Sequence, residues 1–242
     1  MLDASLPSLL AEERPGVLGT LAGKGLSILS KLLGWHRYDD FRLERVLSLR
    51  ILVMPGVANP KLLRTGAFFA AQLDGCALAR GGAVLDMGTG SGVCALAAAA
   101  GGARRVVAVD VSPAAVRCAR LNALLNDLEK RVEVREGDLF APLARERFDL
   151  VLFNPPFLIG APKDHRDAAW RSDDAARRFA AGLGEHLMPH GAALVLLSSF
   201  GDACELFEAE LHANGFRLDV FARRRFVNET LTIVRAMPEP RT

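Results

Sequence analysis

From residue 83 onward, short apolar runs alternate with stretches of helical pattern, and this alternation constrains the chain more than any other feature. Strands separated by helices are joined by crossovers, so the sheet they build is mostly parallel and the domain is α/β. Seven core strands are predicted, at 83–87, 105–109, 132–135, 148–153, 192–198, 216–222 and 230–235. Helices are predicted at 93–100, 113–126, 173–187 and 203–213. Ser112 stands as the N-cap of the second helix, with Pro113 at its first position. Only residues 223–229 separate the last two strands, too few for a helical crossover, so these should form an antiparallel pair at the C-terminal end of the sheet.

Residues 1–55 read differently. Leu6, Leu9, Leu10, Leu18, Leu21, Leu26, Leu29, Leu32 and Leu33 recur at helical spacing, interrupted by Pro15-Gly16, which predicts a small helical appendage ahead of a main domain over 56–242. A strand-like run at 49–54, a turn-rich loop at 55–60 and a helix at 61–73 lead into the core. Trp35 and Tyr38 are expected to anchor the appendage. With 242 residues, 50% of them hydrophobic, the chain can bury one substantial core. No apolar run reaches the roughly 18 residues of a membrane helix, and the start lacks a basic leader, so a soluble cytoplasmic protein is expected. The formal charge of +2 falls short of a dedicated nucleic-acid binder. Cys76, Cys94, Cys118 and Cys204 have neither zinc-ligand nor disulfide-framework spacing, and His36, His165, His186, His190 and His212 show no paired metal spacing, so no metal is expected.

The strongest local signal is Val84-Leu85-Asp86-Met87-Gly88-Thr89-Gly90-Ser91-Gly92, an apolar strand running into alternate glycines that open a helix. Glycines there let a ligand touch backbone. In the dinucleotide fingerprint the third glycine comes three residues after the second. Here it comes two after, with Asp86 two residues ahead of the first, which favours another nucleoside ligand over a nicotinamide cofactor. Asp110 closes the next strand, where a carboxylate can accept both hydroxyl hydrogens of a ribose. Asp138, in Gly137-Asp138-Leu139-Phe140, is a third acid at a strand's C-terminal end and can accept from an adenine amino group. Each also has a plainer reading, a capping turn for Asp110 and a solvated turn for Asp138.

The second distinctive segment, residues 148–157, is a buried strand ending in Asn154-Pro155-Pro156-Phe157. Two prolines remove two backbone donors, which leaves acceptors, the Asn154 side-chain oxygen and the Pro155 carbonyl, beside the aromatic face of Phe157. A planar NH2 fits such a pair. Its lone pair is delocalised, and two acceptors holding its hydrogens favour the pyramidal, nucleophilic geometry. The plainer reading is a proline-terminated strand whose Asn makes a turn.

Together, Asp86 to Gly92 and Asn154 to Phe157 resemble class I S-adenosylmethionine-dependent N-methyltransferases of the HemK/PrmC type and their N6-adenine and N2-guanine relatives. The resemblance extends over residues 52–237 and includes Pro55-Gly56-Val57 and the segment Glu229-Thr230-Leu231-Thr232-Ile233-Val234. It implies a Rossmann-like fold and S-adenosyl-L-methionine as cofactor. Asp86 and Gly88 would face its methionine part, Asp110 its ribose, and Asp138 with Leu139 its adenine, with Thr89, Gly90, Gly92 and Val111 completing the cofactor site. Asn154, Pro155, Pro156 and Phe157 would form the acceptor site, with Asn154 also bordering the cofactor. The implied reaction is N-methylation of a planar amide or amine, first a protein glutamine of the release-factor type. RNA or DNA base methylation is the alternative, and a non-catalytic cofactor-binding scaffold is the alternative of another class. Phe157 stands where glutamine methyltransferases of this family usually have Tyr, and Phe is familiar there from ribosomal-RNA guanine methyltransferases. The appendage is also shorter than the substrate-recognition domain of bacterial release-factor methyltransferases.

Residues 158–171, with Lys163, His165, Arg166, Trp170 and Arg171, are expected to form a substrate-contacting lid, and Arg223-Arg224-Arg225 to lie in the final hairpin connection.

Overall fold

The computed structural model describes residues 40–163 and 167–239. The residues that carried the predicted leucine periodicity, together with Trp35, His36, Tyr38, His165 and Arg166, lie outside them. Residues at 42–53 form a β-hairpin, β1 (Arg42–Val46) and β2 (Leu49–Val53), paired antiparallel. Helix α1 (Thr65–Leu73) follows, starting four residues later than the spacing predicts because Asn59 ties residues 61 and 62 into a turn: its Oδ1 accepts from the Lys61 and Leu62 amides.

The main sheet contains β3 (Ala83–Met87), β4 (Arg105–Asp110), β5 (Val132–Glu136), β6 (Phe148–Phe153), β9 (Leu187–Ser198), β10 (Phe216–Arg225) and β11 (Thr230–Pro238). Two short strands, β7 (Leu158–Ile159) and β8 (Arg171–Ser172), pair outside it. The crossovers are α2 (Val93–Ala100), α3 (Pro113–Leu125), α4 (Ala175–His186) and α5 (Cys204–Ala213). Spatial order is β10-β11-β9-β6-β3-β4-β5, with β11 antiparallel to both neighbours and the other pairs parallel. The predicted antiparallel C-terminal pair is therefore present. Its turn is tighter than expected, because β10 continues through Arg225 and takes all three arginines into the strand.

The central strands are buried on both faces, which is why their sequences read as continuous apolar runs. Alternate residues feed two cores. Val84, Ala108, Leu152 and Leu196 pack with α1, α2, α3 and the hairpin, while Leu85, Val109, Val151 and Val195 pack with α4 and α5. Among the described residues no helix is long and apolar enough to cross a membrane, and all four cysteines are buried and unpaired.

One buried polar side chain ties the hairpin to the core. Asn122, fully buried on α3, accepts from the Leu52 amide at 2.7 Å and donates to the Leu52 carbonyl at 2.7 Å and the Ser91 carbonyl at 2.8 Å. Replacing Asn122 by Ala removes the partner of the Leu52 amide and of the buried Ser91 carbonyl, each costing about 1–3 kcal/mol, while the Leu52 carbonyl keeps the Cys118 thiol. Urea unfolding of Asn122→Ala should therefore show a loss of about 2–4 kcal/mol, well above that of an ordinary surface substitution.

Candidate active site

Parallel pairing places the ends of four strands side by side. Met87 is level with Val109 and with Phe153, and Asp110 with Glu136. The order of the sheet reverses between β3 and β6, since the chain proceeds from β3 outward through β4 and β5 and then returns to the other side. Ligands of open α/β sheets bind at the carboxyl ends of the strands at such a point. The glycine loop leaves β3 and the Asn-Pro-Pro-Phe segment leaves β6, so the two motifs flank the switch point.

The loop is built by its carboxylates. Asp86, buried at the end of β3, accepts through Oδ2 from the Thr89 hydroxyl at 2.6 Å and the Ala95 amide at 3.0 Å, which fastens the loop to the first turn of α2. Gly88, Gly90 and Gly92 hold φ of 65°, 56° and 84°, the left-handed region that side chains disfavour. A Cβ at Gly90 would meet nothing within 4 Å, so this backbone faces open space. Asp110 accepts from the Gly90 amide at 2.8 Å through Oδ2 and from the Ser112 amide at 2.9 Å through Oδ1. Burial lifts Asp110 above the usual carboxylate range, and it pushes Asp86 up to about 7, opposed by the bonds from Thr89 and Ala95 and assisted by the charge of Asp110. Two desolvated acids beside an open glycine loop make a place for a cationic, hydroxyl-bearing ligand.

Asp138 and Leu139 follow β5, with Leu139 at φ 48°. The Asp138 carboxylate is exposed and paired with Arg178 of α4 at 2.7 Å, an ion pair the sequence does not reveal. Val111, directly after Asp110, is half exposed.

At the end of β6, Pro155 is buried and Asn154, Pro156 and Phe157 are partly so. The Asn154 Oδ1 atom is buried without a hydrogen-bond partner. The segment is fixed from behind: the Phe157 carbonyl accepts from the Asp202 and Ala203 amides at 3.1 and 3.2 Å, and the Phe157 ring leans on the apolar core. A Cβ on Gly201 would lie 1.9 Å from the Phe157 carbonyl oxygen, so only glycine allows this approach. The two ends of the segment predicted as a lid are joined by the short β7–β8 pair, where Leu158 donates to the Trp170 carbonyl and Arg171 to that of Ile159.

The sequence reading missed Asn122, Gly201 and Arg178. A signal existed for Asn122, a polar residue within the buried stripe of Ala115, Val116, Cys118, Ala119 and Ala123.

The chain belongs to the methyltransferase small domain family, which matches residues 49–216. It has the Rossmann-like fold of class I methyltransferases and is a member of that S-adenosylmethionine-dependent enzyme class. A Methanocaldococcus jannaschii protein whose name proposes a protein N5-glutamine methyltransferase is 32% identical over 161 residues, covering 63% of this chain and 80% of that one. The release factor glutamine methyltransferase of Gloeobacter violaceus is 33% identical over 177 residues, covering 67% of this chain but 59% of its own length. The chain thus spans little more than half of that relative. A methyltransferase structure from Pyrococcus furiosus shares the fold with a TM-score of 0.62 at 16% identity, covering 89% of this chain and 98% of that one.

Asp86 supplies a direct check of this electrostatic description. Between pH 4 and 7 the folded chain holds a proton that the unfolded chain has released, so Asp86 subtracts stability as pH rises through that window. Comparing urea unfolding at pH 5 and pH 8, Asp86→Asn should gain about 2–3 kcal/mol relative to the wild type. A difference that does not change with pH would contradict the raised value.

Proposed function

We propose that the chain transfers a methyl group from S-adenosyl-L-methionine to the side-chain amide nitrogen of a protein glutamine. The observation that carries this reading is the orphaned Asn154 Oδ1. A buried acceptor without a partner costs about 1–3 kcal/mol, a cost offset when an incoming N–H fills it. A primary amide presents two such hydrogens, and the Pro155 carbonyl is the natural acceptor for the second. Pro155 and Pro156 offer no amide hydrogens to compete for these acceptors.

The residues at the switch point fit the cofactor. Asp86 and Gly88 would face its amino acid end, whose ammonium suits a buried carboxylate, and Asp110 its ribose, since each carboxylate oxygen keeps a further lone pair. Val111 and Leu139 would cover the adenine, with Asp138 at its amino edge, while Thr89, Gly90 and Gly92 shape the loop around it. The cofactor supplies an activated methyl group. The protein's task is alignment, and positioning of this kind can contribute about 7–11 kcal/mol. Phe157 would pack against the plane of the substrate amide.

Relatives named for protein glutamine substrates support the protein acceptor. A release factor is the first partner to test, and the unpaired thiols fit a reducing, cytoplasmic setting. Phe157 favours one second reading, an RNA or DNA base presenting an exocyclic amine.

Incubation with methyl-labelled S-adenosylmethionine and a cell lysate separates these. Label should be released by protease and not by ribonuclease or deoxyribonuclease, and Asn154→Ala should lower it at least about 100-fold. Label released by a nuclease would make the base the substrate.

A further inference from the structure

Between the start of α1 and the end of β10 lies a cavity of ≈ 200 Å³ lined by Lys61, Arg64, Ala67, Phe68, Arg224 and Phe226. We propose that this cavity receives an acidic side chain of the protein substrate, fixing the chain that carries the methylated glutamine; the inference rests on the protein-glutamine reading above.

Phe68 is buried and Phe226 partly so, giving an apolar floor. Two guanidinium groups converge on one ring, with Cζ of Arg64 5.0 Å and Cζ of Arg224 5.2 Å from the Phe226 centroid. Cation–π contacts of this kind hold both groups near the ring and leave N–H donors for a carboxylate. Lys61 adds a third cation, 3.5 Å from Glu44. Two like charges over one ring repel each other, and an incoming anion relieves that repulsion. Arg64 is also held at φ 63°, a left-handed conformation uncommon outside glycine and of the kind that collects at binding sites.

The cavity is coupled to the acceptor site through the chain itself. Phe226 donates to the Glu229 carbonyl at 2.7 Å, Glu229 accepts from the Ser198 hydroxyl, and the Thr230 amide donates to Ser199 Oγ at 2.8 Å. The same 198–203 loop holds the Phe157 carbonyl through Asp202 and Ala203. On the other side, Gly66, two residues after Arg64, abuts Val93 at the start of α2, directly after the glycine loop.

A carboxylate fits better than a nucleic-acid backbone. Glu44 beside Lys61 and Glu229 near Arg64 offset part of the positive charge, which leaves enough for one carboxylate and not for a polyanion, and a fully exposed valine, Val227, stands at the tip of the adjoining turn, where it can touch an apolar side chain of a protein. The chain's net charge of +2 points the same way.

The test uses fluorescence anisotropy with three labelled probes: a peptide with one glutamine flanked by glutamates, the same peptide with lysines in place of the glutamates, and a 12-nucleotide oligouridine. The wild-type chain should prefer the glutamate peptide, and a Lys61→Gln/Arg224→Gln variant should bind it at least about tenfold more weakly. Its melting temperature and S-adenosylmethionine affinity should be unchanged, and Arg64→Gln should weaken peptide binding independently. Equal binding of the two peptides, an unmoved affinity in the variants, or tighter oligouridine binding lost on the same substitutions would overturn the proposal. Failure of the two readings is distinguishable. Glutamate-peptide binding lost in the variants, with no protease-released label from lysate, removes the glutamine substrate and leaves the anion cavity. Protein labelling with unmoved peptide affinity removes the cavity alone.

Discussion

The site depends on the register in which β3 pairs with β4 and β6. Because Met87 is level with Val109 and Phe153, the glycine loop, Asp110 and Asn154 emerge from the sheet at one height. A one-residue slip would turn each strand's core residues to the opposite face and take the Gly90 amide away from Asp110. Both faces of the central strands are buried, so such a slip is opposed along the whole sheet by the two cores. The geometry of the site is thus a by-product of packing that extends far beyond it.

Electrostatics then decide what the site accepts. Asp86 is buried and feels the charge of the partly buried Asp110, and desolvation makes the ionised form of each costly. A ligand that brings positive charge to Asp86 and hydroxyl donors to Asp110 relieves that cost. The Asn154 oxygen is the neutral counterpart, a buried acceptor awaiting a donor. The proposed cofactor and acceptor sites would therefore draw on the same device, a polar group left incompletely satisfied by the protein, one on either side of the switch point.

Much of this was readable from sequence, for definite reasons. Strands β3 and β6 came out residue for residue, because a strand buried on both faces is a nearly continuous apolar run, here broken only by Asp86 and Asp149, and β3 is followed by glycine and β6 by Asn-Pro-Pro. Helix α3 was legible from Ser112, whose hydroxyl accepts from the Ala115 amide, and from Pro113. The hairpin partner β1 was not: its residues alternate between half-buried and exposed, and Phe41 and Leu43 are largely exposed, so no inward stripe marks it. The extent of β10 was also missed, since three consecutive arginines read as a solvated turn when they are in fact ladder residues paired with Thr232, Leu231 and Thr230. Within the site, local motifs were visible and long-range partners were not. Asp86, Asp110 and Asn154 stand in recognisable strings, whereas Arg178 reaching Asp138 and Gly201 making room for Phe157 depend on contacts 40 or more residues apart in sequence.

Gly90 offers the most direct measurement. A methyl group there meets no protein atom within 4 Å, so Gly90→Ala costs the fold only the left-handed backbone penalty, about 1–2 kcal/mol. The same methyl group would occupy the space assigned to the cofactor. Calorimetric titration with S-adenosylhomocysteine should show Gly90→Ala folded yet binding at least about tenfold more weakly than wild type. A folded Gly90→Ala with undiminished affinity would contradict the placement of the cofactor on the glycine loop.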